Sequence, residues 1–98
     1  MSWITGNRYL STNEQRNNAL LIKTKLLAKG WSMNAIAALL GNMESESTIN
    51  PGIWQSLDEG NYNMGYGLVQ WTPATNYTNW ATANGYEIDD GDGQLIWI

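Results

Sequence analysis

From Thr12 to Ser47 the chain is punctuated as two successive helices, and the second reads as the element around which the rest is arranged. Thr12 followed by Gln15 fits a capping box, with Glu14 in the favoured first turn. Ala19, Leu20, Ile22, Lys23, Leu26 and Leu27 then recur at spacings of three and four, and Gly30 supplies a left-handed stop. Ser32 is a good N-cap for the next helix, with Trp31 placed to staple onto Ile36. Ala35, Ile36, Leu39, Leu40 and Met43 are expected on its buried side, and Asn50-Pro51 stops it. A glycine inside a helix costs up to ~1 kcal/mol relative to alanine. Gly41 is therefore expected to face the backbone of a close neighbour.

The second helix ends on Glu44 and Glu46, which is not what packing asks for. Carboxylates in a last turn oppose the helix dipole. Either they are solvated at a fraying end, or one of them faces a ring-lined cleft where its proton affinity rises to suit a general acid. Two positions turn a helix by about 200°, so both cannot face one groove. Glu44 is taken as structural or solvated.

The remaining composition narrows the chemistry. With 98 residues the chain is one domain, and with neither cysteine nor histidine it holds no disulfide, thiolate nucleophile, zinc site or Ser-His-Asp triad. Proton transfer falls to carboxylates, and no metal or cofactor is expected. Five basic residues, spread thinly against nine acidic ones, argue against a nucleic-acid footprint and against an anionic membrane surface. No apolar run is long enough to span a bilayer, and Met1-Ser2-Trp3 does not begin a signal peptide. Six tryptophans and five tyrosines with no phenylalanine favour rings that carry a polar edge, as in wet interfaces and sugar grooves.

Residues 1–11 read as an irregular arm pinned by Trp3, Tyr9 and Leu10. Residues 50–66 read as a long polar loop holding Trp54, Asp58 and Glu59, and Gly65 to Trp71 as an extended or hairpin-like piece presenting Gln70 and Trp71. Thr72-Pro73 opens a helix that carries Tyr77 and Trp80 and stops at Asn84-Gly85. Asp89, Asp90 and Asp92 turn into the apolar run Gln94 to Ile98, either a first helical turn or an edge strand. A carboxylate at a helix end, an acidic pair in a loop and a glycine-rich turn with an amide and rings suit cleavage of a glycosidic bond.

The stretch Gly41-Asn42-Met43-Glu44-Ser45-Glu46-Ser47 with Asn50-Pro51, and Gly65-Tyr66-Gly67-Leu68-Val69-Gln70-Trp71-Thr72 after it, resembles the phage tail lysozyme family. The likeness runs from Tyr9-Leu10 through Trp31 and Trp54-Gln55 to Trp80. It implies a mainly α, lysozyme-like α+β domain of the goose-type lysozyme and lytic transglycosylase kind, with a small β-hairpin lining a peptidoglycan groove. The family's catalytic glutamate falls on Glu46. Asp58 or Glu59 is then the expected second carboxylate, with Trp54, Tyr66, Gln70 and Trp71 on the substrate.

The implied activity is hydrolysis of the β-1,4 bond between N-acetylmuramic acid and N-acetylglucosamine, at the tail tip of a virion penetrating a bacterial cell wall. A lytic transglycosylase giving 1,6-anhydro products is one alternative. A wall-binding or structural tail module without turnover is the other. Implied partners are the glycan strand, other tail proteins and a downstream peptidase domain. The family domain runs further than Ile98, so residues 89–98 are expected to begin an element that is cut short.

Overall fold

The computed structural model describes residues 2–98. Among these residues four helices form: α1 (Thr12–Ala28), α2 (Met33–Ser47), α3 (Thr75–Ala83) and α4 (Gly91–Trp97), with a 3-10 turn at Gln55–Leu57. α1 starts one residue earlier than its sequence suggests. Ser11 is the N-cap, and the capping box pairs it with Glu14 rather than Thr12 with Gln15. Gly30 stops the helix at φ +89°. Ser32 caps α2 by accepting from the Ala35 N–H, as expected.

α1 is rotated from the expected stripe: Asn18, Leu21, Ile22 and Leu26 are buried, while Leu20 and Leu27 are 46% and 42% exposed. Asn18 sets that rotation. Its Oδ1 accepts from the Ile4 N–H, and its Nδ2 donates to the carbonyls of Ile4 and Ile49, so a polar residue holds the centre of the helix face. On α2 only Ile36, Met43 and Ser47 are fully buried; Leu39 and Leu40 pack at the margin and Ala35, Ala37 and Ala38 are exposed. Gly41 has no neighbour in reach of a Cβ, so the close backbone expected there is absent.

The main core joins Ile22 and Leu26 of α1, Ile36 and Met43 of α2, then Ile49, Leu68 and Leu95, with Trp3 and Trp31 packed on its edge. Each such side chain contributes about 1.5–3 kcal/mol by leaving water. Of the arm's expected pins, Leu10 and Trp3 serve, the latter donating through Nε1 to Asp92, but Tyr9 is 64% exposed. A second core of Trp54, Tyr66 and Ala74 lies under the long loop.

The expected β-hairpin does not form as a sheet. Among the described residues there are only two isolated antiparallel bridges, Trp54 with Tyr66 and Tyr66 with Trp71. Gly67 at φ +83° and Gln70 at φ +52° curl the chain back after one residue pair, leaving no room for a ladder. α3 begins at Thr75, two residues beyond the expected Pro73 start: the Asn76 N–H bonds the Pro73 carbonyl in a turn, and the first helical bond runs from the Thr78 N–H to the Ala74 carbonyl. The final apolar run is helical rather than extended, and Asp90 caps it through the Asp92 N–H.

Candidate active site

α2 ends under strain. Thr48 and Ile49 are both left-handed, at φ 54° and 56°, an outlier for a β-branched residue with no glycine to absorb it. Three contacts over-determine the corner. The Thr48 hydroxyl accepts from the Leu10 N–H, the Asn18 amide holds the Ile49 carbonyl, and the buried Ser47 hydroxyl lies 2.7 Å from the Leu68 carbonyl. Among the described residues the other positive φ angles outside glycine are at Ser56, Leu57 and Gln70, so strain gathers at the corner, the 3-10 turn and the glycine-rich turn. Backbone strain of order 1–3 kcal/mol per residue persists where surrounding structure fixes it, and functional sites are where it clusters.

Glu46 stands one residue before that joint. Its side chain is exposed, and among the described residues it makes no hydrogen bond or ion pair. The half-dry, ring-lined wall expected beside it is not supplied by the residues described. Glu44, by contrast, lines a hollow of about 440 Å³ between α1 and α2 with Arg16 and Gly41. Glu46 therefore lies on the other flank of α2, as the helical turn between the two positions requires.

The turn from Gly65 to Thr72 is organised by polar side chains. Gln55 Oε1 accepts from the Gly65 N–H at 2.8 Å, and Thr72 Oγ1 donates to the Gln70 carbonyl. A Cβ on Gly65 would meet Gln70 Oε1 at 2.9 Å and both Gln55 Oε1 and Thr72 Oγ1 at 3.1 Å, so a larger residue would push these side-chain ends out of place. Gln70 spends its NH2 on backbone, donating to the Ile53 and Gly67 carbonyls. That fixes its side chain, and its amide oxygen, lying against Gly65, has no donor among the described residues.

The rings expected on substrate sit mostly inside the fold. Trp54 is 6% exposed and Tyr66 2%, their centroids 4.5 Å apart, with Tyr62 edge-on to Trp54. Burial, then the nearby Asp89, pushes the Tyr66 phenol well above its usual range, so it stays neutral. Trp71 is half-buried and stacks on Tyr77 at 4.5 Å.

The two loop carboxylates part company. Asp58 Oδ2 accepts from Asn61 Nδ2 and closes its own turn. Glu59 lines a hollow of about 450 Å³ with Trp54, Tyr62, Tyr66, Glu87 and Asp89. Glu46 does not line that hollow. The structure thus brings Gln70 and Trp71 onto the turn tied to the end of α2, and gathers Trp54, Tyr66 and Glu59 around a separate depression.

The bond from Gly65 to Gln55 was not legible, because its partners lie ten positions apart and meet only once the loop folds back. Ser47 had one signal, its place directly after an acidic residue at a helix end. No helix among the described residues is long and apolar enough to cross a membrane.

Residues 17–98 match the family model for phage tail lysozyme. Over 89 residues, 91% of this chain, the sequence is 61% identical to Morphogenesis protein 1 of Bacillus phage B103. The aligned part is 24% of that protein, so the chain spans about a quarter of its relative's length.

Proposed function

This chain belongs to the phage tail lysozyme family, and we propose that it cleaves the β-1,4 bond between N-acetylmuramic acid and N-acetylglucosamine, with Glu46 as general acid, during entry of a virion through the bacterial wall. One observation carries the reading. Glu46 is unpartnered among the described residues, and it projects from the helix residue next to Ser47, whose hydroxyl joins α2 to the turn bearing Gln70 and Trp71. A general acid needs a carboxyl group with no competing partner, on a rigid element, next to groups that hold the sugar. The strained corner and the Ser47 bond meet the second requirement. The amide oxygen of Gln70 and the partly open ring of Trp71 meet the third.

In this reading Glu46 gives its proton to the glycosidic oxygen as the bond to the muramoyl anomeric carbon breaks. Positive charge then develops on the ring oxygen and that carbon. Water takes the anomeric position if Asp58 or Glu59 reaches the opposite face. The bond from Asn61 to Asp58 favours a second outcome, in which no second carboxylate acts and the muramoyl 6-hydroxyl attacks instead. Mass spectrometry of fragments released from purified peptidoglycan separates the two, since reducing ends mean hydrolysis and 1,6-anhydro ends mean transglycosylation. Asp58→Asn and Glu59→Gln, made separately, assign the partner: a collapse of hydrolysis in one alone identifies it, and full activity in both removes both. Release of no sugar at all, with the chain still sedimenting with walls, would replace the enzymatic reading with that of a wall-binding module.

A further inference from the structure

Gln94 is fully buried in the short helix α4, and its amide makes three hydrogen bonds, using both donors and the oxygen. Oε1 accepts from the Leu68 N–H at 2.8 Å. Nε2 donates to the Pro51 carbonyl at 2.7 Å and to the Ile88 carbonyl at 2.9 Å. All three partners are backbone groups, and each comes from a different segment: the glycine-rich turn, the corner after α2, and the loop into α4. Gly67 lies so close that a Cβ there would stand 2.8 Å from Gln94 Oε1. Leu68 is consequently gripped from two sides, by Gln94 on its N–H and by Ser47 on its carbonyl.

We propose that Gln94 is a positioning residue for the candidate site: its amide clamps Leu68 and Pro51 together, fixing the turn that carries Gln70 and Trp71 against the end of α2 that carries Glu46. The inference rests on the glycosidase reading for its consequence and on geometry for its content. The chemistry of the amide is what the position demands. Two carbonyls require two donors and one N–H requires an acceptor, at the reach of a three-carbon side chain. Methionine has the shape without the bonds. Asparagine has the bonds without the reach. A buried network with one member removed leaves polar groups stranded, so the segments separate to find water.

The test uses the 98-residue chain and two kinds of readout. In the wild type, NMR should detect coupling across the hydrogen bond between the Leu68 amide nitrogen and the Gln94 side-chain carbonyl. Absence of that coupling, with the Leu68 amide exchanging freely, overturns the clamp without any variant. In Gln94→Met, amide exchange should speed up at Leu68 while the amides of α1 stay protected. With soluble peptidoglycan glycan chains, kcat should fall roughly tenfold to a hundredfold, the scale expected when catalytic groups are misplaced by about 1 Å. KM should move less than threefold.

A kcat that falls only in step with the unfolded fraction by circular dichroism, or that stays at the wild-type value, overturns the proposal. Gln94→Asn should give the same split, which covers the case that Gln94→Met does not fold. Glu46→Gln measured alongside keeps the two claims apart. If Glu46→Gln remains fully active while Gln94→Met shows the split, the clamp stands and the acid lies elsewhere. If Glu46→Gln is dead while Gln94→Met and Gln94→Asn are fully active, the clamp falls and the glycosidase reading stands.

Discussion

Replacing Asn50 by alanine should cost this domain about 3 kcal/mol, far more than removing one polar surface residue would. Asn50 is fully buried in the corner after α2. Its Nδ2 donates to the carbonyls of Gly6 and Arg8, each at 2.7 Å, and its Oδ1 accepts from the Gly52 N–H at 2.9 Å. The Gly52 N–H is buried and would be stranded, at about 1–3 kcal/mol. The two carbonyls belong to the half-exposed arm and can recover water, which lowers their share to about 0.5 kcal/mol each. A sum near 3 kcal/mol is a large part of the ~5–15 kcal/mol that holds a domain together.

At about 4–8 °C per kcal/mol for this size, Tm should fall by roughly 12–25 °C. The urea midpoint should fall by about 1–3 M at a slope of ~1–3 kcal/mol/M. Asn50→Asp is the sharper companion: it keeps the acceptor for Gly52, loses both donors and turns a carboxylate toward two carbonyls, so it should be no milder. A loss below about 1 kcal/mol in Asn50→Ala, with the arm still protected from exchange, would show that the arm is not held as described.

Two further outcomes follow from particular residues. Gly41→Ala should stabilise by about 0.5–1 kcal/mol, measured by urea unfolding, since the helix gains propensity and the added methyl meets open space. The Glu14 carboxyl is held down to about 2, first by its hydrogen bond from Arg8 and then by the Ser11 N–H, against an ordinary value of 4.5. A depressed carboxyl stabilises the fold above its unfolded pKa, and that contribution is lost as pH falls from about 4.5 toward about 2. Glu14→Gln should flatten that part of the acid limb in a melt-versus-pH series and leave the neutral region's pH dependence unchanged.

What could be read in advance depended on how local its cause was. Ser32, Gly30 and Gly85 act within a few residues of themselves, and each marked a real helix boundary. The rotation of α1 could not be read, because Asn18 looks like any exposed polar residue until the arm and Ile49 arrive to bond it. Gly41 misled for a related reason: a glycine among alanines reads as a close approach, yet it lines an open hollow. The hairpin motif was legible as a turn and not as a sheet. Its shape is set by Gln94, 26 positions from Leu68, and by Ser47, 21 positions from it. Trp54 and Tyr66 carried the polar edge that suggests a sugar, but their partner was each other.

The most direct measurement is the rate of glycan release from purified peptidoglycan by Glu46→Gln, compared with the wild type at matched folded fraction. The glutamine keeps the shape of the side chain at an exposed position, so the fold should be untouched, while the transferable proton is gone. The expected loss is about 10²–10⁴-fold, the usual contribution of a general acid. An unaltered rate in the folded variant would contradict it and take Glu46 out of the chemistry.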